Sequence, residues 1–154
     1  MRKEFLDSIQ SLLLRDLTKL EAEINLYTDE SSIWRIEKDI KNSAGTLCLH
    51  LCGNLQHYFG AVLGKSSYKR NRDLEFSARD IPKDKLLAEI AAARKAIERV
   101  VPAISESQLL AEYPENVLGK PMTTLFFMVH LSAHLSYHLG QVNYHRRHLT
   151  PALS

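Results

Sequence analysis

The chain has 154 residues, 45% of them hydrophobic, with only 6 Gly and 5 Pro, which is enough for one ordinary core and leads to the expectation of a single soluble all-α domain over residues 1–154. A formal charge of +2, with no run of Lys and Arg, excludes the basic stripe that a nucleic-acid binder requires. The N-terminal "MRKEFLDSIQ" is interrupted by Glu4, Asp7 and Gln10, and the most apolar window, Met122 to Val142, carries three histidines with Ser132, Ser136 and Gln141, so neither a signal segment nor a membrane span is expected and the cytoplasm is the expected compartment.

The first segment, about Lys3 to Leu26, places Phe5, Ile9, Leu12, Leu13, Leu17, Leu20 and Ile24 at amphipathic-helix spacing with charges on the other face. "TDESSIWRIEKDIKN" then reads as a linker holding the only tryptophan, Trp34. Asn42 or Ser43 can cap a second helix that runs to about Leu63, before Gly64. The polar, aperiodic "GKSSYKRNRDLEFSARDIP" reads as a loop of about eighteen residues, longer than most and of the kind that is functional or mobile. In it, Lys69, Arg70 and Arg72 are either a solvated charge run or a site for an anionic cosubstrate. After Pro82, Lys83 to Val101 carries Leu86, Ile90, Ala93, Ile97 and Val100 on one stripe, a third helix. A connector follows, with a short turn at Glu106 to Ala111, and Pro121, at a first helical position, opens a fourth helix that ends near His148, before Pro151. Four amphipathic segments with no strand pattern predict a four-helix bundle, and the long connectors after helices two and three leave room for a crossover instead of up-and-down order.

The histidines give the pattern its chemistry. With His50 at 0° and about 100° per residue, Ser43, Leu47, Asn54, His57 and Ala61 share its face, whereas Cys48 and Cys52 fall on the opposite side. A Cys2His2 cluster is thereby excluded, a disulfide at that spacing is disfavoured, and the two cysteines read as inert packing thiols, with a redox or ligand role as the alternative. His57 lies two turns from His50, about 10.5 Å along the axis, too far to share an ion with bonds of about 2.0 to 2.1 Å, so it reads as an outer partner or pocket wall. On the fourth helix Thr123, Phe127, His130, His134, His138, Gln141 and His145 form one inward stripe. Histidines four apart can chelate one ion, and a third from the facing helix makes a three-His site with positions left for water or substrate. Spacing leaves open whether His134 pairs with His130 or with His138. The competing reading is a hydrogen-bonded polar core, although this helix offers few partners for several buried imidazoles. No Asp or Glu follows Glu115 and "HLSYH" lacks the glutamate of the H-E-x-x-H proteases, so proton transfer at the metal is expected from bound water, from Tyr or His, or from the substrate.

Taken together, "NSAGTLCLHLCGNLQHYFGAVLG" and "HLSAHLSYHLGQVNYHRR" resemble the DinB-like superfamily, in particular its DUF1572-type branch, over nearly the whole chain. The resemblance implies a four-helix bundle with a three-histidine metal site whose ligands are His50, His134 and His138. His130, about 12 Å along the axis from His138, then becomes an outer or packing residue, and Asn54, His57, Tyr137 and Gln141 are the expected pocket wall, with ordinary interhelical hydrogen bonds as their plainer reading. The expected cofactor is a divalent ion, Zn or Ni first, with Fe or Mn as alternatives. Relatives in the wider superfamily are thiol-dependent transferases, which implies a metal-dependent thiol transferase or hydrolase acting on a small molecule, such as a low-molecular-weight thiol; a non-catalytic stress protein with a structural ion is the rival. Finally, the small residues Val129, Ser132, Ala133, Ser136, Gly140 and Asn143 on the back of the fourth helix lead to the expectation of a homodimer, and Gly53, Gly60 and Gly64 mark a close approach along the second helix.

Overall fold

The computed structural model describes residues 1–150 and is all-helical there, with a single isolated bridge between Glu112 and Thr123 in place of any strand. Helix α1 (Arg2–Asn25) is followed by a 3-10 turn (Glu30–Trp34) and by α2 (Ala44–Leu55), which continues without a break as a π-helix over Gln56–Leu63. Helix α3 (Arg72–Ser77) is short, α4 (Lys83–Val100) is long, α5 (Glu106–Leu110) is one turn, and α6 (Thr124–Leu149) closes the chain. Residue Pro151 lies outside the described residues.

The four long elements pack in a ring, α1 chiefly against α4 and α6, and α2 chiefly against the same pair. Helices α1 and α2, consecutive in the chain, are therefore not principal neighbours, and neither are α4 and α6. The crossings are thus made after the first and third long helices, whereas the connector after the second, expected to leave room for one, joins the adjacent α2 and α4. Burial follows the apolar stripes: Leu13, Leu17, Leu20 and Ile24 of α1 and Leu86, Ala93 and Ile97 of α4 are wholly buried, each large aliphatic contributing up to about 1.5 to 3 kcal/mol. Leu12, assigned to that stripe from its spacing, is 39% exposed, and Leu6 takes the inward place instead. Glycines set two approaches: Trp34 lies across α2 where Gly45 leaves room for its ring, and Gly64 admits Val100 and Arg99 of the α4 side. No described helix is long and apolar enough to cross a membrane.

Two elements differ from expectation. Pro121 does not open α6; the pairing of Tyr113 N–H with the Met122 carbonyl at 2.8 Å and of Thr124 N–H with the Ala111 carbonyl at 2.9 Å holds this stretch extended, and Thr123 caps the helix by accepting from Phe126 N–H. The polar loop is not structureless, because Asn71 accepts from Leu74 N–H and caps α3 within it. Ser43 caps α2, accepting from Thr46 N–H at 3.1 Å.

The α1–α6 seam is polar where the back of α6 has small residues. The Ser136 hydroxyl donates to Asp16, which is 2% exposed, and Asn143 donates to Glu23 at 2.6 Å, with Arg146 on the other Glu23 oxygen. Part of the face expected to meet a second subunit thus meets α1, while Val129, Ala133 and Gly140 remain exposed. Cys48 and Cys52 are free and fully buried, and a hydrogen bond between them together with burial holds the Cys52 thiol well above its ordinary pKa, which disfavours the reactive thiolate.

Candidate metal centre

Helix α2 delivers His50 and α6 delivers His134 and His138, so that one ring nitrogen from each lies within 4.8 Å of one from each of the others. The 4-residue step between His134 and His138 stacks them on one face of α6, their ring centroids 4.6 Å apart. His50 approaches across the α2–α6 contact, its centroid 5.0 Å from His134 and 5.4 Å from His138.

Hydrogen bonds on the outer nitrogens decide which lone pairs face inward. His50 Nδ1–H donates to Glu75 Oε1 at 3.2 Å, and His138 Nδ1–H donates to Gln141 Oε1 at 2.6 Å. Both rings are therefore left with Nε2 as an acceptor. His50 Nε2 faces His134 Nε2 at 3.1 Å. In a neutral His134 the proton on Nε2 donates to His50 Nε2, and an ion held by the three rings takes the place of that hydrogen bond. Burial, reinforced by His138 and His50, pushes the His134 imidazole down to about 3, and burial also lowers His138 against the opposing pull of Gln141, so His134 is uncharged at neutral pH and has a lone pair to offer an ion. Ligands about 2.0 to 2.1 Å from one ion in tetrahedral directions stand about 3.3 Å apart, and these nitrogens lie near that spacing, 3.1 Å between His50 and His134 and within 4.8 Å for all three. The donor set fits a divalent ion of the kind imidazoles hold, such as Zn, Ni or Fe. The Nδ1 of His134 is buried without a hydrogen-bond partner.

Glu75 is the group that spacing did not reveal. Its carboxylate, 6% exposed, is held by Arg70 through two bonds of 2.8 Å, from Nε to Oε2 and from Nη2 to Oε1. Arg70 Nη2 also stands 3.4 Å from His50 Nδ1, but that nitrogen already carries the proton given to Glu75, so no bond forms between these two donors. Burial raises the Glu75 pKa, but Arg70 and His50 outweigh it and hold the carboxyl below its ordinary range. A charged carboxylate on the outer nitrogen fixes the tautomer and orientation of His50 and raises its basicity. The carboxylate reaches this position over Gly53: a Cβ there would stand 2.7 Å from the Glu75 carboxyl carbon. A glycine inside a helix, costing about 0.5 to 1 kcal/mol relative to alanine, was the signal in the sequence.

The histidines stand on the wall of a cleft of about 560 Å³, lined also by Asn54, Tyr58, Arg70, Arg72, Phe76, Phe127 and His130. Of the expected wall residues, Asn54 lines the cleft and Gln141 fixes His138. Tyr137 is 66% exposed, its ring against the edge of His138 and outside the cleft. His57 turns away to Glu115, at 3.1 Å, because π winding begins at Gln56 and the 100° step no longer holds; Tyr58 takes the wall position. His130 lies outside the three-histidine group, stacked on Phe127 at 5.8 Å. His145, on the same stripe, is a satisfied core residue: Nδ1 accepts from the Tyr27 hydroxyl at 2.6 Å and Nε2–H donates to the Arg35 carbonyl at 2.8 Å.

No curated protein matches the chain. The family described as "Protein of unknown function (DUF1572)" matches residues 1–152, and with nearly the whole chain covered, the protein belongs to the DUF1572 family.

Proposed function

We propose that this protein is a metal-dependent enzyme with a bundle of the DinB-like type, in which His50, His134 and His138 hold a divalent ion, Zn or Ni ahead of Fe or Mn. The observation that carries the reading is the convergence of three imidazoles whose outer nitrogens are tied to Glu75 and Gln141 in two of three cases. An ion bound there supplies Lewis acidity, lowering the pKa of a thiol or a water that reaches it. The chain's own part is to hold three neutral imidazoles in place, to keep His50 in one tautomer through Glu75, and to leave a cleft open beside them for the substrate. Three protein ligands and an open cleft favour catalysis over a structural ion, which takes a closed fourth ligand. The reactions proposed are transfer to or from a low-molecular-weight thiol, or hydrolysis. In this reading the protein works in the cytoplasm, where Cys48 and Cys52 stay reduced, and it forms a homodimer through the exposed part of α6.

The test is an activity screen of the metal-loaded protein with several thiols and a bromobimane electrophile, with the metal-free protein as control. Turnover that disappears on chelation and returns on reloading supports the enzyme. A tightly held ion with no turnover for any thiol or for activated esters supports the non-catalytic alternative, an ion that only cross-links α2 and α6.

A further inference from the structure

We infer that the cleft beside the three histidines takes a small organic carboxylate that also bears a metal-directed group such as a thiol, and that Arg72 anchors its carboxylate; this rests on the metal reading of the same site. Charge is the first ground. Among the described residues no Asp or Glu lines the cleft, whereas two arginines do. Arg70 is spent, since its Nε and Nη2 are both bound to Glu75 and its side chain is only 10% exposed. Arg72 is exposed and makes no ion pair among the described residues, and its guanidinium lies 5.0 Å above the Phe76 ring. Phe76 in turn packs against His50, ring centroids 5.0 Å apart. The free cation thus stands one aromatic ring away from the site proposed for the metal. Stacking uses the face of a guanidinium and leaves its in-plane N–H donors free for a bidentate carboxylate.

Asn54 is the second, independent ground. It is 7% exposed and lines the same cleft, and its Oδ1 is buried with no hydrogen-bond partner. Buried acceptors are rarely left unpaired, so a ligand that brings an O–H or N–H donor completes it. Phe127, Leu131 and Val117 give the cleft apolar wall, and its volume of about 560 Å³ falls in the range of small-molecule sites. The ligand that fits all of these is short, with an apolar middle, a carboxylate toward Arg72, an O–H or N–H donor toward Asn54 and the thiol toward the histidines.

The test uses protein loaded with Co(II), whose uptake is measured first, and two probes with the same thiol: 3-mercaptopropionate and its methyl ester. Binding is read from the thiolate-to-Co(II) charge-transfer absorption. The acid is expected to bind about tenfold tighter than the ester at low salt, and Arg72→Met is expected to erase that preference while Co(II) affinity holds. Equal binding of acid and ester by the wild type, a preference that survives in Arg72→Met, or binding of neither probe to the loaded protein overturns the inference and leaves the metal reading standing. Failure to take up Co(II) at all overturns the metal reading, and the inference with it.

Discussion

Replacing Gly53 by alanine separates the proposed role of Glu75 from ordinary helix energetics. In a helix interior this change stabilises a protein by about 0.5 to 1 kcal/mol, because alanine gives up less backbone entropy. Here the added methyl overlaps the Glu75 carboxylate, with the carboxyl carbon 2.7 Å away. Glu75 is held on its other side by Arg70 and His50, so it yields only by breaking those bonds. Overpacking of this kind costs about 1 to 3 kcal/mol, which offsets the gain of about 0.5 to 1 kcal/mol and leaves a net loss of about 1 kcal/mol at the middle of these ranges and at most about 2.5 kcal/mol. For a chain of this length the metal-free Tm then falls by about 3 °C, and by at most about 8 °C. If Glu75 orients His50 for the ion, metal affinity in a chromophoric-chelator competition falls about 10- to 100-fold as well. The double variant Gly53→Ala, Glu75→Ala restores room for the methyl. Its stability loss should therefore be smaller than the sum of the single losses, while its metal affinity stays low. A Gly53→Ala protein more stable than wild type and with unchanged metal affinity would refute this account of Glu75.

The metal-free protein should lose stability as pH drops below about 6.5: unfolded histidines take up protons there, whereas folded His134 resists down to about 3 and burial also lowers His138 and His145. Each proton bound only by the unfolded chain costs about 1.4 kcal/mol per pH unit, so a Tm profile of chelator-treated protein that stays flat from pH 8 to 5 contradicts the burial argument. His57→Ala should leave metal content at the wild-type level, since His57 pairs with Glu115; a protein that purifies metal-free would return it to the site. Light scattering at micromolar concentration should give a dimer mass, and Val129→Glu, on the exposed part of α6, should give a monomer; a monomeric wild type would contradict the proposed interface.

Much of the fold was legible because α1 and α4 follow apolar stripes and α2 is capped by a side chain at its own start. Ser43, the 3.6-residue stripes of α1 and α4, and the step from His134 to His138 all lie within one element, where sequence distance is spatial distance. What stayed hidden depends on contacts between elements. Glu75 lies 25 residues from His50 in a polar segment, and only the approach over Gly53 turns a surface-like carboxylate into a buried partner. The π winding at Gln56 leaves no mark in the apolar pattern, yet it turns His57 aside and brings Tyr58 to the wall. Pro121 misled because the rule for a first helical position is local, and the backbone pairing across Ala111 to Thr124 overrides it. His145 shares the stripe of the site histidines, but Tyr27 and Arg35, remote in sequence, satisfy both of its nitrogens.

In the proposed site His50, His134 and His138 hold one ion and His130 does not. Metal content of purified single alanine variants, measured by mass spectrometry with wild type alongside, tests this most directly. The account predicts background metal for His50→Ala, His134→Ala and His138→Ala, and near wild-type content for His130→Ala, which stands outside the group while still lining the cleft. Full occupancy in His138→Ala, with loss in His130→Ala, would contradict the assignment, and full occupancy in all four would contradict the site.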